Sequence, residues 1–169
     1  MTEVPVDAEH DLAVADRPSA LGLLDDLDHT LDLLQKVDLA GAPSEVKCAV
    51  LERTSTVQNR FDAFKARAMT AFESTQEHRV EGHTSAAGWL KSHAGMEGRD
   101  AARWQRQSRF AKRLPLASEA LARGEITMSH VEHLHRAQQL VGEEAFALAE
   151  EVLVDAAIEQ RFSDFQRTL

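Results

Sequence analysis

Hydrophobic positions recur at helical spacing along most of this chain. In the first such stretch, apolar side chains follow one another at intervals of three and four residues, at Ala20, Leu24, Leu27, Leu31 and Leu34. Acidic side chains fill the opposite positions, so the stretch has the pattern of an amphipathic helix. Ser19 is a suitable N-cap residue for it. The pattern therefore predicts a helix over 19–40, which the Gly-Ala-Pro turn at 41–43 ends.

A second and longer series of apolar positions begins after that turn. Most of its members again lie three or four residues apart, and they are Val46, Val50, Val57, Phe61, Phe64, Ala68 and Phe72. The series predicts a helix over 44–78, with its three phenylalanines packed in the core. Because only a short turn separates the two long helices, we expect them to form an antiparallel hairpin.

Shorter helices are predicted after the hairpin, each bounded by a capping residue or a helix breaker. Their predicted ranges are 84–92, 97–114, 116–123, 127–140 and 143–160. In the first of them Trp89 and Leu90 are expected to be buried. In the last one the inward positions are expected to be Phe146, Ala149, Leu153 and Ala156. A further helix is predicted to begin near Ser163, and the chain ends a few residues later, so we expect 19–169 to be a single helical domain that is truncated at its C-terminus.

The composition favours a fold without β-sheet. The chain of 169 residues contains 26 alanines and 19 leucines, against 12 valines and 2 isoleucines. Alanine and leucine favour helices, whereas β-branched side chains favour strands. The sequence therefore predicts an all-α protein in which a long antiparallel helical hairpin packs with several shorter helices.

Cysteine usage and the N-terminal segment indicate the compartment. Cys48 is the single cysteine, which excludes an internal disulfide and any zinc site with two or more thiolates. Residues 1–18 are acidic, contain Pro5 and Pro18, and have no apolar block, so we expect a disordered leader rather than a signal peptide. Apolar runs are too short for a membrane span. We expect a cytoplasmic protein with no membrane partner.

Charge is distributed unevenly along the chain. The net charge of −9 by itself argues against nucleic-acid binding. Between His83 and Arg123, however, eight basic and three acidic residues give +5, and the rest of the chain carries −14. In the predicted helix over 97–114, side chains within about a third of the circumference are basic, namely Arg99, Arg103, Arg106, Arg109 and Arg113. Side chains that can pack lie roughly opposite, at Ala101, Trp104, Ser108 and Ala111.

The helices predicted over 84–92 and 97–114 form a helix-turn-helix-like pair, joined by the His-Ala-Gly-Met turn at 93–96. Guanidinium groups on the second helix are suited to bidentate hydrogen bonds with phosphate oxygens or guanine edges. The five arginines therefore predict a DNA-binding surface, and Phe110 beside them fits either a neighbouring helix or an aromatic contact. The alternative is that acidic residues of neighbouring helices in the same chain pair with the basic face.

Catalytic and metal sites are not predicted. His130, His133 and His135 share one predicted helix, but His135 lies about 140° from His133 around its axis. We interpret the three as a surface cluster rather than a metal site. The chain has no Gly-rich phosphate loop and no Gly-x-Ser-x-Gly elbow. We expect no cofactor on these residues and no catalytic centre among them.

A longer pattern extends from Thr84 to Val131. It consists of Thr-Ser-Ala-Ala-Gly-Trp-Leu at 84–90, Ala-Gly-Met at 94–96, Arg-Asp-Ala-Ala-Arg at 99–103, Leu-Pro at 114–115, Ala-Leu-Ala-Arg-Gly-Glu-Ile-Thr at 120–127 and His-Val at 130–131. In order and spacing these elements resemble domain of unknown function 222, a helical domain that is common in actinobacteria. The resemblance covers about 20–169 and is most specific over 84–131.

The resemblance implies a place beside a nuclease. This domain usually lies N-terminal to an HNH endonuclease domain, in what is often called a mycobacterial repeat family. The chain is then expected to be the non-catalytic N-terminal helical domain of such a protein, with DNA and a downstream nuclease region as partners. An HNH centre needs metal-binding histidines on a ββα hairpin and an orienting asparagine. No such hairpin is predicted here, and Asn59 stands alone in a long helix.

A second function from a different class stays open. The chain fits a protein–protein interaction or oligomerisation module with no direct DNA contact. In that case the acidic hairpin would dock another protein, a second copy of the chain, or the chain's own downstream region. The pairing of the arginines distinguishes the two functions. If acidic residues of neighbouring helices pair with the guanidinium groups, DNA binding is less favoured.

Overall fold

A computed structural model describes residues 19–169 of the chain. These residues form nine α-helices and no strand, which confirms the prediction of an all-α protein. The acidic leader predicted at 1–18 lies outside the described residues. None of the nine helices combines the length and the apolar character that a membrane span needs. The helices are α1 (Ala20–Gln35), α2 (Ser44–Thr75), α3 (Glu77–Val80), α4 (Ala86–His93), α5 (Gly98–Arg113), α6 (Pro115–Arg123), α7 (Met128–Val141), α8 (Glu143–Glu159) and α9 (Phe162–Thr168).

Most helix boundaries agree with the predicted ones. From α4 onward each described boundary lies within two residues of its predicted position, because local signals mark these ends. The Ser85 hydroxyl accepts a hydrogen bond from the Gly88 N–H at 3.1 Å and caps α4. Two boundaries differ from the prediction. Helix α1 ends at Gln35 rather than at residue 40, and α2 ends at Thr75, where Gln76 adopts a left-handed φ of 56° and α3 follows.

The described residues divide into two compact units, 19–47 and 48–169. In the first unit the Ser19 hydroxyl accepts a hydrogen bond from the Gly22 N–H at 3.0 Å and caps α1, as predicted. In the turn after α1, the Lys47 ammonium donates a hydrogen bond to the Ala40 carbonyl at 2.9 Å. None of the residues of α1 is buried. The antiparallel arrangement of α1 and α2 and the single domain over 19–169 stay predictions.

The buried face of α2 differs from the predicted one. The residues that this helix buries are Asn59, Ala63, Ala66 and Met69. The three predicted phenylalanines are only half buried, and Val57 is exposed. Helix α6 ends against α2 at Gly124, where an added Cβ would lie 2.7 Å from Thr56 Cγ2. The prediction was wrong because it followed large apolar side chains, whereas the face of α2 that joins the core carries mainly small ones.

Two groups of buried side chains form the core of the second unit. The larger group joins α2 to α5 and the helices after it, and its large, fully buried members are Leu114, Leu121, Ile126, Val131, Leu134, Phe146 and Phe165. The smaller group lies where α2, α4 and α5 meet, and it buries Met69, Ala86, Leu90 and Ala101. Leu90 is buried as predicted. Trp89 is only half buried, because its indole nitrogen reaches an exposed carboxylate.

A buried carboxylate sets the orientation of α8. The residues that this helix buries are Phe146, Glu150, Val154 and Ala157, so its inward face is turned relative to the predicted series at 146, 149, 153 and 156. Glu150 Oε1 accepts hydrogen bonds from the backbone N–H groups of Leu116, at 3.1 Å, and Ala117, at 3.4 Å. These N–H groups lie at the start of α6, where the N-cap residue Leu114 provides no side-chain acceptor. The periodicity of apolar residues does not reveal this capping role.

We expect Gly124→Ala to destabilise the protein more than a matched glycine substitution does. Alanine at 124 has an unfavourable left-handed φ of +82° and its methyl group meets Thr56, which together should cost about 3 kcal/mol. The control is Gly95→Ala, where φ is +63° but the surrounding space is open, so only about 1–2 kcal/mol is expected. Urea denaturation followed by circular dichroism measures both losses. Equal losses would show that the contact of Gly124 with α2 does not stabilise the fold.

Candidate functional site

Helix α5 is anchored to the second unit along one face. Ala101, Ser108 and Ala111 are buried, as predicted. Trp104 is half buried, and its indole N–H donates to the Lys65 carbonyl of α2 at 3.0 Å. The Lys65 ammonium also lies 5.2 Å from the centroid of the Trp104 ring, within cation–π distance. These contacts fix the rotation of α5 about its own axis, so its opposite face points to solvent.

That opposite face carries the predicted basic residues. All five are exposed, and we refer to them as the arginine face: Arg99, Arg103, Arg106, Arg109 and Arg113. The buried residues of α5, Ala101, Ser108 and Ala111, lie on the anchored side, as the helical wheel predicts. The exposed side carries the arginines together with Ala102.

Three of the five arginines form ion pairs. The pairs are Arg99–Glu97 at 3.0 Å, Arg103–Asp100 at 2.8 Å and Arg109–Glu73 at 2.9 Å. The first two acidic partners belong to α5 or its N-cap, and Glu73 lies on α2. The paired arginine side chains remain 59–81% exposed, so each pair contributes about 0–1 kcal/mol to stability. Over residues 19–169, no acidic side chain lies within 4.0 Å of the Arg106 or Arg113 guanidinium.

A polar recess of about 220 Å³ opens at the edge of the arginine face. Its lining includes Glu73, His78, Arg79, Gln105 and Arg109. Glu73 accepts hydrogen bonds from both Gln105 and Arg109. His78 Nδ1 is buried and has no hydrogen-bond partner in the described part of the chain. Arg79 and Arg109 therefore line the same concave, polar surface.

Phe110 packs inward against a neighbouring helix. Its ring is half buried and stacks on the His135 ring of α7, with 4.2 Å between the two centroids. Of the two roles that the sequence leaves open for Phe110, the structure therefore shows the packing role. Its ring face is occupied and is not presented to a nucleic-acid base.

The three histidines of α7 do not form the predicted surface cluster. His130 and His135 are buried, and His133 is half buried. His130 Nδ1 accepts a hydrogen bond from the Thr127 N–H at 3.1 Å and completes a capping box at the start of α7. The His130 ring also packs against Phe165 of α9, with 5.3 Å between centroids. The surface prediction was wrong because α9 covers His130 and His133, and Phe110 of α5 covers His135.

A different histidine cluster, which the sequence analysis missed, lies between α3 and the end of α4. It consists of Glu81, His83 and His93, and one ligand atom of each lies within 4.8 Å of the other two. His93 Nε2 is 3.1 Å from Glu81 Oε2, and the centroids of the His83 and His93 rings are 5.3 Å apart. The turn after α3 and the length of α4 bring these residues together. The only sequence signal was a Glu-x-His segment at 81–83 followed by a histidine at the end of the next predicted helix.

Comparisons with protein-family models, with curated protein sequences and with solved structures found no match for this chain. The resemblance to domain of unknown function 222 therefore rests on the residues quoted for it.

We expect the protein to lose stability as the pH falls below 6.5. Burial lowers the pKa of His130, and the neighbouring His133 lowers it further. Burial also lowers the pKa of His135, opposed by its hydrogen bond with Gln138 and assisted by the positive charge of Arg113. The unfolded chain takes up protons at these histidines near the ordinary value of 6.5, whereas the folded protein keeps them neutral to lower pH. The unfolded state therefore binds more protons below that value, and acid favours unfolding.

Thermal unfolding measured by circular dichroism at neutral and at mildly acidic pH tests this expectation. The decrease in Tm on acidification should be smaller in His135→Gln, which removes one of the depressed groups. The matched control is His29→Gln, at an exposed histidine of α1, and it should keep the full decrease. A His135→Gln variant with the wild-type pH dependence would contradict the assignment.

Proposed function

We propose that this chain is a non-catalytic helical domain that engages DNA through the arginine face, in a protein of the HNH-endonuclease type. The observation that carries the proposal is the exposure of five guanidinium groups on one side of a helix whose other side is anchored to α2. Such a face offers repeated positive charge in fixed positions to a phosphate backbone. The nuclease context comes from the resemblance to domain of unknown function 222, and a downstream nuclease region would then cut the DNA that α5 holds.

The pairing of the arginines supports DNA contact over internal pairing. Arginine can donate two parallel hydrogen bonds to one phosphate group. Phosphate can replace the exposed carboxylates that face Arg99 and Arg103 at small cost, because exposed pairs contribute little. Internal pairing would require partners on neighbouring helices, and within residues 19–169 such a partner faces only Arg109.

The charge of the whole chain sets the expected character of the binding. A net charge of −9 repels DNA outside the short range of the arginine face. Contacts with phosphates carry no sequence information by themselves. We therefore expect weak binding that depends little on DNA sequence and strongly on salt.

Changing Arg103→Glu together with Arg106→Glu is expected to abolish binding to duplex DNA while the protein stays folded. Both side chains are exposed, so the helical content measured by circular dichroism should not change. For the wild-type protein, fluorescence anisotropy at several salt concentrations measures the contacts. If about four phosphates are neutralised, the logarithm of the binding constant should fall with the logarithm of the salt concentration at a slope of about −3.6.

The matched control is Arg136→Glu together with Arg161→Glu, which makes the same change in net charge at exposed positions outside α5. This control should weaken binding much less than the α5 substitutions do. Equal weakening by the two double variants would contradict a specific role for the arginine face. Unfolding of the Arg103 and Arg106 variant would instead assign those side chains a structural role.

A second candidate function, self-association, is favoured by the leucines of α1. Five of them are 46–75% exposed, namely Leu21, Leu23, Leu31, Leu33 and Leu34. Exposed apolar patches on proteins commonly mark interaction sites. Leu23, Leu31 and Leu34 lie within about 80° of one another around α1, and α1 buries none of its own residues. A second copy of the chain would cover these leucines with the same apolar surface.

Sedimentation velocity over a range of protein concentrations is expected to show a dimer that Leu31→Glu together with Leu34→Glu disrupts. The control is Leu148→Glu together with Val152→Glu, at two exposed apolar positions of α8, which should leave the dimer intact. A chain that stays monomeric throughout, or a dimer that survives the α1 substitutions, would rule out this interface.

A further inference from the structure

We propose that Glu81, His83 and His93 bind a divalent transition-metal ion of the zinc type. One ligand atom from each residue lies within 4.8 Å of the other two, and His93 Nε2 is 3.1 Å from Glu81 Oε2. Ligand atoms around a tetrahedral zinc ion lie about 3.4 Å apart when the bonds are about 2.1 Å long. Glu81 and His93 therefore already have a suitable separation, and small rotations of the three side chains close the remaining distance.

The hydrogen bond that His93 makes leaves its second ring nitrogen available to a metal ion. Nδ1 lies 3.1 Å from the Trp89 carbonyl oxygen, which can only accept, so Nδ1 carries the hydrogen. In the neutral ring Nε2 then presents a lone pair to the Glu81 carboxylate, which also offers only lone pairs. Two acceptors at 3.1 Å can be joined either by a proton on Nε2 or by a metal ion, and a metal ion takes the same place between the same two atoms. Metal-bound histidines commonly donate their other N–H to a backbone carbonyl in the same way.

Trp89 orients two of the three ligands. Its indole N–H donates to Glu81 Oε2 at 2.7 Å, and its ring stacks on that of His93, with 4.6 Å between centroids and 11° between planes. The indole also packs against Phe72 of α2, with 4.8 Å between the ring centroids. A residue packed on the core thus holds both the carboxylate and the imidazole, which is the role of the outer contacts of a metal site.

The third ligand is placed by the turn between α3 and α4. The His83 N–H donates to the His78 carbonyl at 2.8 Å, and Gly82 before it adopts a left-handed φ of +81°. These features direct the chain back toward the end of α4, where the His83 ring meets the edge of the His93 ring. The half-buried position of His83 leaves it fewer conformations than an exposed side chain has.

The ligand types select the class of metal ion. Two imidazole nitrogens and one carboxylate oxygen suit Zn²⁺, Co²⁺, Ni²⁺ or Cu²⁺, whereas Mg²⁺ and Ca²⁺ prefer sites made of oxygen atoms. Three protein ligands leave one position of a tetrahedral ion open. Because Glu81 and His93 are exposed, this position faces solvent and is available to water or to a donor atom of an incoming molecule.

Titration of the full chain, without an added histidine tag, with Co²⁺ alone tests the proposal. The wild-type protein should bind one Co²⁺ per chain and develop the visible d–d absorption of a four- or five-coordinate ion. Zn²⁺ should displace the Co²⁺ and abolish this absorption, and excess Mg²⁺ should not. The variants His83→Ala and His93→Ala should each lose the absorption and bind Co²⁺ at least about tenfold more weakly.

Two further variants separate loss of a ligand from loss of structure. His29→Ala makes the same change at an exposed histidine outside the cluster and should bind as the wild type does. Glu81→Gln keeps an oxygen for the Trp89 indole but removes the negative ligand, so it should weaken Co²⁺ binding while the circular dichroism spectrum stays unchanged. Wild-type protein without the absorption, or His93→Ala with wild-type affinity, would overturn the proposal. Displacement of Co²⁺ by Mg²⁺ would also overturn it, since it would identify a site made of oxygen atoms.

Discussion

The buried carboxylate of Glu150 makes the contact on which the arrangement of the second unit depends. Pro115 begins α6 directly after α5, and the N–H groups at this helix start lie next to the buried Leu114, where an unsatisfied donor is costly. Glu150 accepts two of these N–H groups from α8, and its negative charge is favourable at the positive end of α6. Because α5 leads into this corner, the same carboxylate ties the segment that follows α5 to α8. A buried acidic residue thus holds the chain in place directly after the basic helix.

Charged and polar groups in the second unit have separate tasks according to their depth. Several of those that are buried satisfy backbone groups, as Glu150 does for α6 and His130 does for the start of α7. Those on the arginine face are exposed and make mainly local pairs. This division explains how a chain with a net charge of −9 presents a region of positive charge. The acidic residues are concentrated outside 83–123, and few of them come near α5.

Features that depend on local sequence were predictable, and features that depend on contacts between distant segments were not. Caps such as Ser85 and breakers such as Gly124 marked the ends of the later helices, and the helical wheel placed the arginines opposite Ala101 and Ala111. The buried face of α2 was predicted wrongly, because the side chains that it turns to the core are mainly small ones rather than phenylalanines. The cluster of Glu81, His83 and His93 depends on how the turn after α3 folds back onto α4. The spacing of residues along the chain carries little information about how a turn brings two distant segments together.

The contact between Glu73 and Arg109 has a consequence for how α5 would receive an anion. Glu73 is held by two donors, Arg109 and Gln105, and its side chain is 22% exposed. If a phosphate oxygen replaced this carboxylate at Arg109, Glu73 would keep the Gln105 amide and its access to water. The exchange would leave no uncompensated buried charge. In the free protein the carboxylate restrains this guanidinium, and an arriving phosphate would then have less conformational entropy to remove.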